Sequence, residues 1–460
     1  MTDLQPTHRE LLDRLRSGYA SGRTRPLEWR QQQLDALARL IEDNEDAIAE
    51  ALVADLDKPR LEVVLGETAL LIGEIRHARA RLERWARPRP VHTPLLARPG
   101  RSFILPEPLG VVLILGTWNY PVQMVLAPLI PALAAGNCAV LKPSEVTPHS
   151  ARLMAELVPR YLDPDAVAVV EGGVDEARWL LEQRFDHIFY TGGAEVGRIV
   201  MKAAAEHLTP VTLELGGKSP AIVAEDADLD SAARRIAWGK LLNAGQTCIA
   251  PDYVLVTPRN RDAVIDRLRG QFEQMLGPDP LAGNDYASIV NQRHFERLSA
   301  LLGQGRIVWG GQTDPARRKI APTLLVDAPL DSEVMRSEIF GPILPIIEVP
   351  DIDEALDFVA RGDKPLAAYL FTRSRRLERR FLERISCGNV AINDVMMFMS
   401  VPGLPFGGVG ASGIGSYHGQ AGFDRFSHLK SVIRRSRFLD LPVRYPPYSQ
   451  WKIRLLKWFI

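Results

Sequence analysis

From Leu109 to Leu141 the chain reads LGVVLILGTWNYPVQMVLAPLIPALAAGNCAVL, a stretch without one charged residue. A run of that length has two physical homes, the hydrocarbon of a bilayer or the interior of a protein large enough to cover it. Pro121, Pro128 and Pro131, with Asn119, Gln123 and Asn137 inside the run, argue against a lipid-exposed helix. A bilayer offers no partner for the hydrogen bonds that such residues break or leave open. A buried strand, a turn, a buried helix and another strand fit the pattern, and a chain of 460 residues has room for two or three domains to bury them.

That unit heads a longer alternation. GVVLILG, NCAVLKP, AVAVVEG, HIFYTG and PVTLELGG read as strands, and VQMVLAPLIPALA, SARLMAELVPRYL, DEARWLLEQ and VGRIVMKAAAEHL read as the helices between them. Alternation of this kind is the signature of a doubly wound parallel sheet. A second alternating region follows Asp226, with DLDSAARRIAWGKLLN and NRDAVIDRLRGQFEQML as helices and YVLVTP, TLLVDAP, ILPIIEV and NVAIN as strands. The first eighty or so residues carry apolar positions at helical spacing. RSFILPEPLG, broken by prolines, reads as an extended linker, and Gly403–Gly415 as a glycine-rich loop. The expected fold class is α/β, with two doubly wound domains.

Composition narrows the function. Lys plus Arg and Asp plus Glu both number 56, so no net field draws nucleic acid or acidic surfaces. The three cysteines have no CxxC or Cys/His spacing, which argues against disulfides and zinc and points to a reducing, cytoplasmic setting. The opening MTDLQPTHRELLDRL lacks the apolar core of a secretory signal. The tail YPPYSQWKIRLLKWFI places Trp451, Leu455 and Trp458 on one helical stripe among basic residues. A membrane-surface contact and packing on the protein's own dimer both explain it, and Lys452, inside the apolar arc, favours packing.

Several positions carry chemical promise. TGGAEVG (Thr191 to Gly197) lies between a strand and a helix, where backbone N–H groups receive phosphate, although the spacing is not GxGxxG. Glu214 sits where a ribose-binding acid stands in dinucleotide folds, and could equally serve as a catalytic base. Lys142 and Glu145, in VLKPSE, follow a strand's carboxyl end; they suit ribose hydroxyls or a plain helix-capping pair with Ser144. Cys248, in NAGQTCIAP, is flanked by polar and flexible residues rather than by a core. A nucleophilic thiol needs ionising surroundings, and an attacked carbonyl needs donors for its oxyanion. Asn119, in GTWNYP, could supply such an amide or merely form a turn beside proline. A Cys–His hydrolase is a competing use of the thiol, though no histidine has a supporting sequence context.

LTPVTLELGGKSP, DLDSAARRIAWGKLLNAGQTCIAPDYVLV, SEIFGP and LPFGGVGASGIGSYHGQAGFDRFSHLKS resemble the aldehyde dehydrogenase superfamily, and its class 3 branch in particular. The resemblance implies Cys248 as nucleophile, Asn119 with the Cys248 N–H as oxyanion donors, and Glu214 as general base. It implies Lys142 and Glu145 on the adenosine ribose. Gly192, Gly193, Ala194, Glu195, Val196 and Gly197 would lie over the pyrophosphate, and Glu338 and Phe340 against the nicotinamide riboside, with Glu338 able to share the work of the base. Gly193 departs from the family, which often has Ser or Asn there. The implied activity is oxidation of medium- or long-chain or aromatic aldehydes with NAD, NADP being possible. A coenzyme A-acylating enzyme and a non-catalytic binding protein on the same scaffold are the alternatives. The implied organisation is a dinucleotide-binding domain (1–85 and 108–213) and a catalytic domain (214–405). Bridging segments (86–107 and 406–445) that oligomerise a homodimer and an amphipathic tail (446–460) complete it.

Overall fold

Three long helices open the chain, Pro6–Ala20, Leu27–Asp43 and Glu45–Leu56, followed by a short helical turn, a π turn at Val64–Thr68 and the helix Ala69–Ala86. The computed structural model describes residues 6–438, 440 and 444–459. Strand β1 (Arg89–Val91) pairs antiparallel with β2 (Gly100–Pro108), the predicted extended linker. The charge-free run then folds as β3 (Val111–Leu115), the helix Gln123–Ala135 and β4 (Cys138–Lys142), and every residue of these elements is buried. The helices Leu27–Asp43, Ala69–Ala86 and Gly419–Arg425 cover it, so protein takes the place of lipid.

Strands β5 (Val167–Val169), β6 (His187–Thr191) and β7 (Val211–Glu214) complete the predicted parallel set. The spatial order runs β7-β6-β3-β4-β5, so the winding reverses between β3 and β6. Crevices at such switch points, beyond the carboxyl ends of the strands, are where open α/β sheets bind ligands.

The second sheet holds β8 (Pro220–Val223), β9 (Tyr253–Val256), β10 (Arg306–Trp309), β13 (Thr323–Val326), β14 (Ile343–Glu348), β15 (Ala367–Phe371) and β16 (Asn389–Ile392), parallel except for β10. Between β10 and β13 a small hairpin forms from β11 (Thr313–Asp314) and β12 (Lys319–Ile320). The glycine-rich segment is not loop alone. Its β17 (Gly413–Ile414) returns to the first sheet and pairs antiparallel with β7. Strand β18 (Ser427–Arg435) pairs along the whole of β2 and leaves its other edge without a partner strand among the described residues.

The tail forms the helix Gln450–Phe459. Lys452 turns inward, donating to the carbonyls of Tyr445 (2.8 Å) and Pro447 (2.9 Å), while Trp451, Ile453 and Leu455 stay exposed. The side chain of Trp458, third member of the predicted stripe, lies outside what is described. No helix among the described residues is long and apolar enough to cross a membrane.

Candidate active site

The carboxyl ends of the first sheet deliver most of the predicted residues. Asn119 follows β3, Lys142 ends β4, Gly192 follows β6, and Glu214 ends β7. Cys248 and Glu338 come from the second sheet, just before β9 and β14. The two sheets therefore present the site from opposite ends, the first through its strand exits and the second through its strand entries.

The thiol loop is shaped by backbone strain. Asn243, Ala244 and Gly245 take φ of +53°, +52° and +71°, a left-handed run that costs non-glycine residues energy and persists only where the surroundings enforce it. Gly245 tolerates no Cβ, which would strike the Gly341 carbonyl. The enforcing bonds come mostly from distant segments: the Asn243 N–H donates to Glu62 (2.7 Å), Asn243 Nδ2 to the carbonyls of Asn119 (2.9 Å) and Gln246 (3.1 Å), and Gln246 Nε2 to Ser288 (3.0 Å). Half-buried Cys248 follows. Asn119 Nδ2 donates to the Gln246 carbonyl at 3.1 Å, so the amide lies against the thiol loop, and the Tyr120 hydroxyl bonds Thr247 at 2.9 Å.

Glu214 and Cys248 line one cavity, whose wall is otherwise nearly all apolar: Leu65, Trp238, Met396, Met397, Met399 and Phe406 among others. Tyr120 also lines it. Phe398 does not; it stacks on Tyr369 and Phe406 instead. Both carboxylate oxygens of Glu214 are buried without a hydrogen-bond partner, and burial holds its pKa well above the usual carboxylate range, eased only by Arg425. Burial also pushes the Cys248 thiol up, with the carboxyls of Glu338 and Glu214 adding to the rise.

Glu338 is likewise raised, to about 8, first by burial and then by Asp252, against the Gly217 N–H, Lys218 and Arg297, which favour its charge. Gly216 admits it, since a Cβ there would overlap the Glu338 carboxylate. Phe340 adopts φ +49° and meets Trp118 edge-on at 5.2 Å.

The remaining predicted residues suit a dinucleotide. The helix Ala194–Glu206 starts at Gly193 without a side-chain cap, leaving its first N–H groups for a phosphate. A Cβ at Gly193 would meet nothing within 4 Å, so the approach is open, and the nearby Thr191 hydroxyl is buried and unpartnered. Glu195 and Val196 are exposed on that first turn, Ala194 is half-buried, and Gly197 packs where a Cβ would stand 2.9 Å from Leu215. With no side chain at Gly193, backbone N–H groups face that opening. Lys142 and Glu145 do meet, at 3.5 Å, although Lys142 Nζ also donates to the carbonyls of Gly172 (2.7 Å) and Pro143 (3.0 Å). The Lys142–Glu145 contact leaves Glu145 half-exposed.

The chain is similar to known proteins along nearly its whole length. The chain is 48% identical over 451 residues to aldehyde dehydrogenase family 3 member A2 of Rattus norvegicus, covering 98% of this chain and 93% of that one. It is 46% identical over 440 residues to a Canis lupus familiaris protein named aldehyde dehydrogenase, dimeric NADP-preferring, covering 95% of this chain and 97% of that one. The substrate-bound Staphylococcus aureus AldH structure superposes with a TM-score of 0.96 at 43% identity, covering 98% and 99% of the two chains. A Mycobacterium tuberculosis aldehyde dehydrogenase complexed with NAD+ gives 0.83 at 27% identity, covering 93% and 90%. The aldehyde dehydrogenase family model spans residues 10–432, the thiol loop and both sheets included, and the chain belongs to that family.

Proposed function

We infer that this protein is an aldehyde dehydrogenase that oxidises aldehydes to carboxylic acids with NAD(P)+. The observation that carries the mechanism is the pairing of a thiol with an unpartnered buried carboxyl in one apolar cavity. Cys248, as thiolate, adds to the aldehyde carbon, and the carbonyl π pair moves to oxygen. Asn119 Nδ2 and the Cys248 N–H hold that oxyanion. Re-forming the carbonyl expels the C–H electron pair as hydride and leaves a thioester on Cys248. NAD(P)+, when bound, supplies the hydride acceptor. Glu214 then takes a proton from water, the water oxygen adds to the thioester carbon, and the Cys248 thiolate departs to free the acid.

Lys142 and Glu145 hold the adenosine ribose, Gly192 to Gly197 the pyrophosphate, and Glu338 and Phe340 the nicotinamide riboside. Glu338, already raised in pKa, can share the base's work. Glu145 disfavours a 2′-phosphate by charge, though its contact with Lys142 tempers the effect, so NAD+ is preferred and NADP+ accepted.

The apolar wall supports medium- or long-chain aliphatic and aromatic aldehydes, and its methionines adapt to varied shapes. Transfer to coenzyme A is the disfavoured alternative, because it needs no water-activating carboxyl. The exposed edge of β18 supports a homodimer, as the resemblance and the dimeric canine relative do. The exposed Trp451, Ile453 and Leu455 leave the tail suited to that dimer or to weak contact with a membrane surface. Three free cysteines support a cytoplasmic setting. The decisive assay is NADH formation across alkanals and aromatic aldehydes, without coenzyme A, for wild type and Cys248→Ala. Wild-type turnover by the variant sinks the mechanism.

A further inference from the structure

The chemistry above uses Cys248, Asn119, Glu214 and Glu338 and leaves a second set of buried charges unexplained. Lys58 and Glu67 are both wholly buried and pair at 2.8 Å. Such a pair gives little stability for its desolvation, and well-packed apolar residues often replace one at no loss. What it adds is direction, and here the direction is shared. Lys58 Nζ donates to the Asn119 carbonyl at 3.0 Å and lies 4.1 Å from the centre of the Tyr120 ring. The other Glu67 oxygen accepts from the Gln123 N–H at 2.8 Å, at the start of the buried helix. The pair therefore grips the chain on both sides of Pro121.

Glu67 reaches this place from the π turn Val64–Thr68, an irregularity common at functional sites. In that turn Gly66 lies so close that a Cβ would stand 2.8 Å from the Tyr120 ring. The gripped dipeptide is the one that touches the thiol loop, through Asn119 to Gln246 and Tyr120 to Thr247.

We propose that the Lys58–Glu67 pair is a positioning device for the oxyanion amide, fixing the Asn119–Tyr120 backbone against the thiol loop before substrate arrives. The proposal rests on the reading of Asn119 as an oxyanion donor. Neither charge touches substrate; each acts through the carbonyl, ring or N–H it holds. Donors aimed in advance cost no reorganisation during reaction, and a displacement of about 1 Å can cost about 10²-fold in rate.

The test is the single-turnover burst of NADH at saturating NAD+, with dinucleotide affinity and melting temperature measured alongside. The variants are Asn119→Ala, Lys58→Met, Glu67→Gln, Lys58→Met/Glu67→Leu and Lys58→Met/Asn119→Ala. Lys58→Met and the apolar double variant slow the burst by about 10- to 10²-fold while dinucleotide affinity holds. The apolar double regains melting temperature but not burst rate, which a merely structural role does not allow. Adding Lys58→Met to Asn119→Ala brings no further loss. A full-rate burst in the apolar double, or losses that multiply in Lys58→Met/Asn119→Ala, overturns the positioning role while leaving Asn119 in place. A normal burst in Asn119→Ala overturns the oxyanion assignment and the proposal with it. If Lys58→Met does not fold, the apolar double and the isosteric Glu67→Gln decide the matter by the same burst.

Discussion

Glu214 presents two bare carboxylate oxygens to the cavity, and burial sets its chemistry and its stability effect in opposite directions. As the proposed base it would work only when ionised, so thioester hydrolysis should rise with pH through its elevated pKa. For stability the sign reverses. The folded state binds this proton more tightly than the unfolded chain, so stability is complete below the ordinary carboxylate pKa and is lost as pH rises toward the folded value. Glu214→Gln should then melt higher than wild type at pH 8 and nearly the same at pH 4, while steady-state turnover falls by about 10²–10⁴-fold. A pH series of thermal melts checks the first half, and acid release the second. Asn119→Ala should cut turnover by about 10²–10³-fold with dinucleotide binding retained, as titration of NADH fluorescence would report.

At the scale of elements, the glycines beside Glu214 make the clearest demand. Gly216 has no room for a Cβ because the Glu338 carboxylate lies there, at a turn between β7 and β8. Gly216→Ala should displace Glu338 and raise KM for NAD+ by about tenfold or more, with the overall fold intact by circular dichroism. The charge-free run shows how a local pattern and its cover divide the explanation. Its apolar content requires burial, but the identity of the covering helices, including Gly419–Arg425 from far along the chain, does not follow from the run itself. Strands β8 and β15 are not among those that the sequence pattern predicts. PAIV is short and opens on proline, and AAYLF begins with alanines that suit a helix as well; only burial between parallel neighbours makes them strands.

At the scale of the whole molecule, the free edge of β18 bears Leu429 and Ile433 on one face, 39% and 54% exposed. An exposed apolar edge of this kind invites pairing with a second copy. Sedimentation velocity should give a dimer for wild type, and Leu429→Asp/Ile433→Asp should shift it toward a monomer of 51.1 kDa. A wild-type monomer at micromolar concentration removes β18 as a dimer edge.

Period, length and punctuation in the amino-acid sequence were enough for the alternating α/β class, the need to bury the Leu109–Leu141 run and the polar, flexible flanks of the thiol, because those are read from residue patterns within about twenty residues. Resemblance supplied the roles of Asn119, Glu214 and Glu338. Only the tertiary structure brought Lys58, Glu62 and Glu67 beside Asn119 and Asn243, and returned β17 to the first sheet. Nothing near Lys58 in the chain marks it as buried, since a lysine after LD and before PR reads as surface. Its environment comes from segments 61 and 185 residues distant, Asn119 and Asn243, and local spacing carries no record of such encounters.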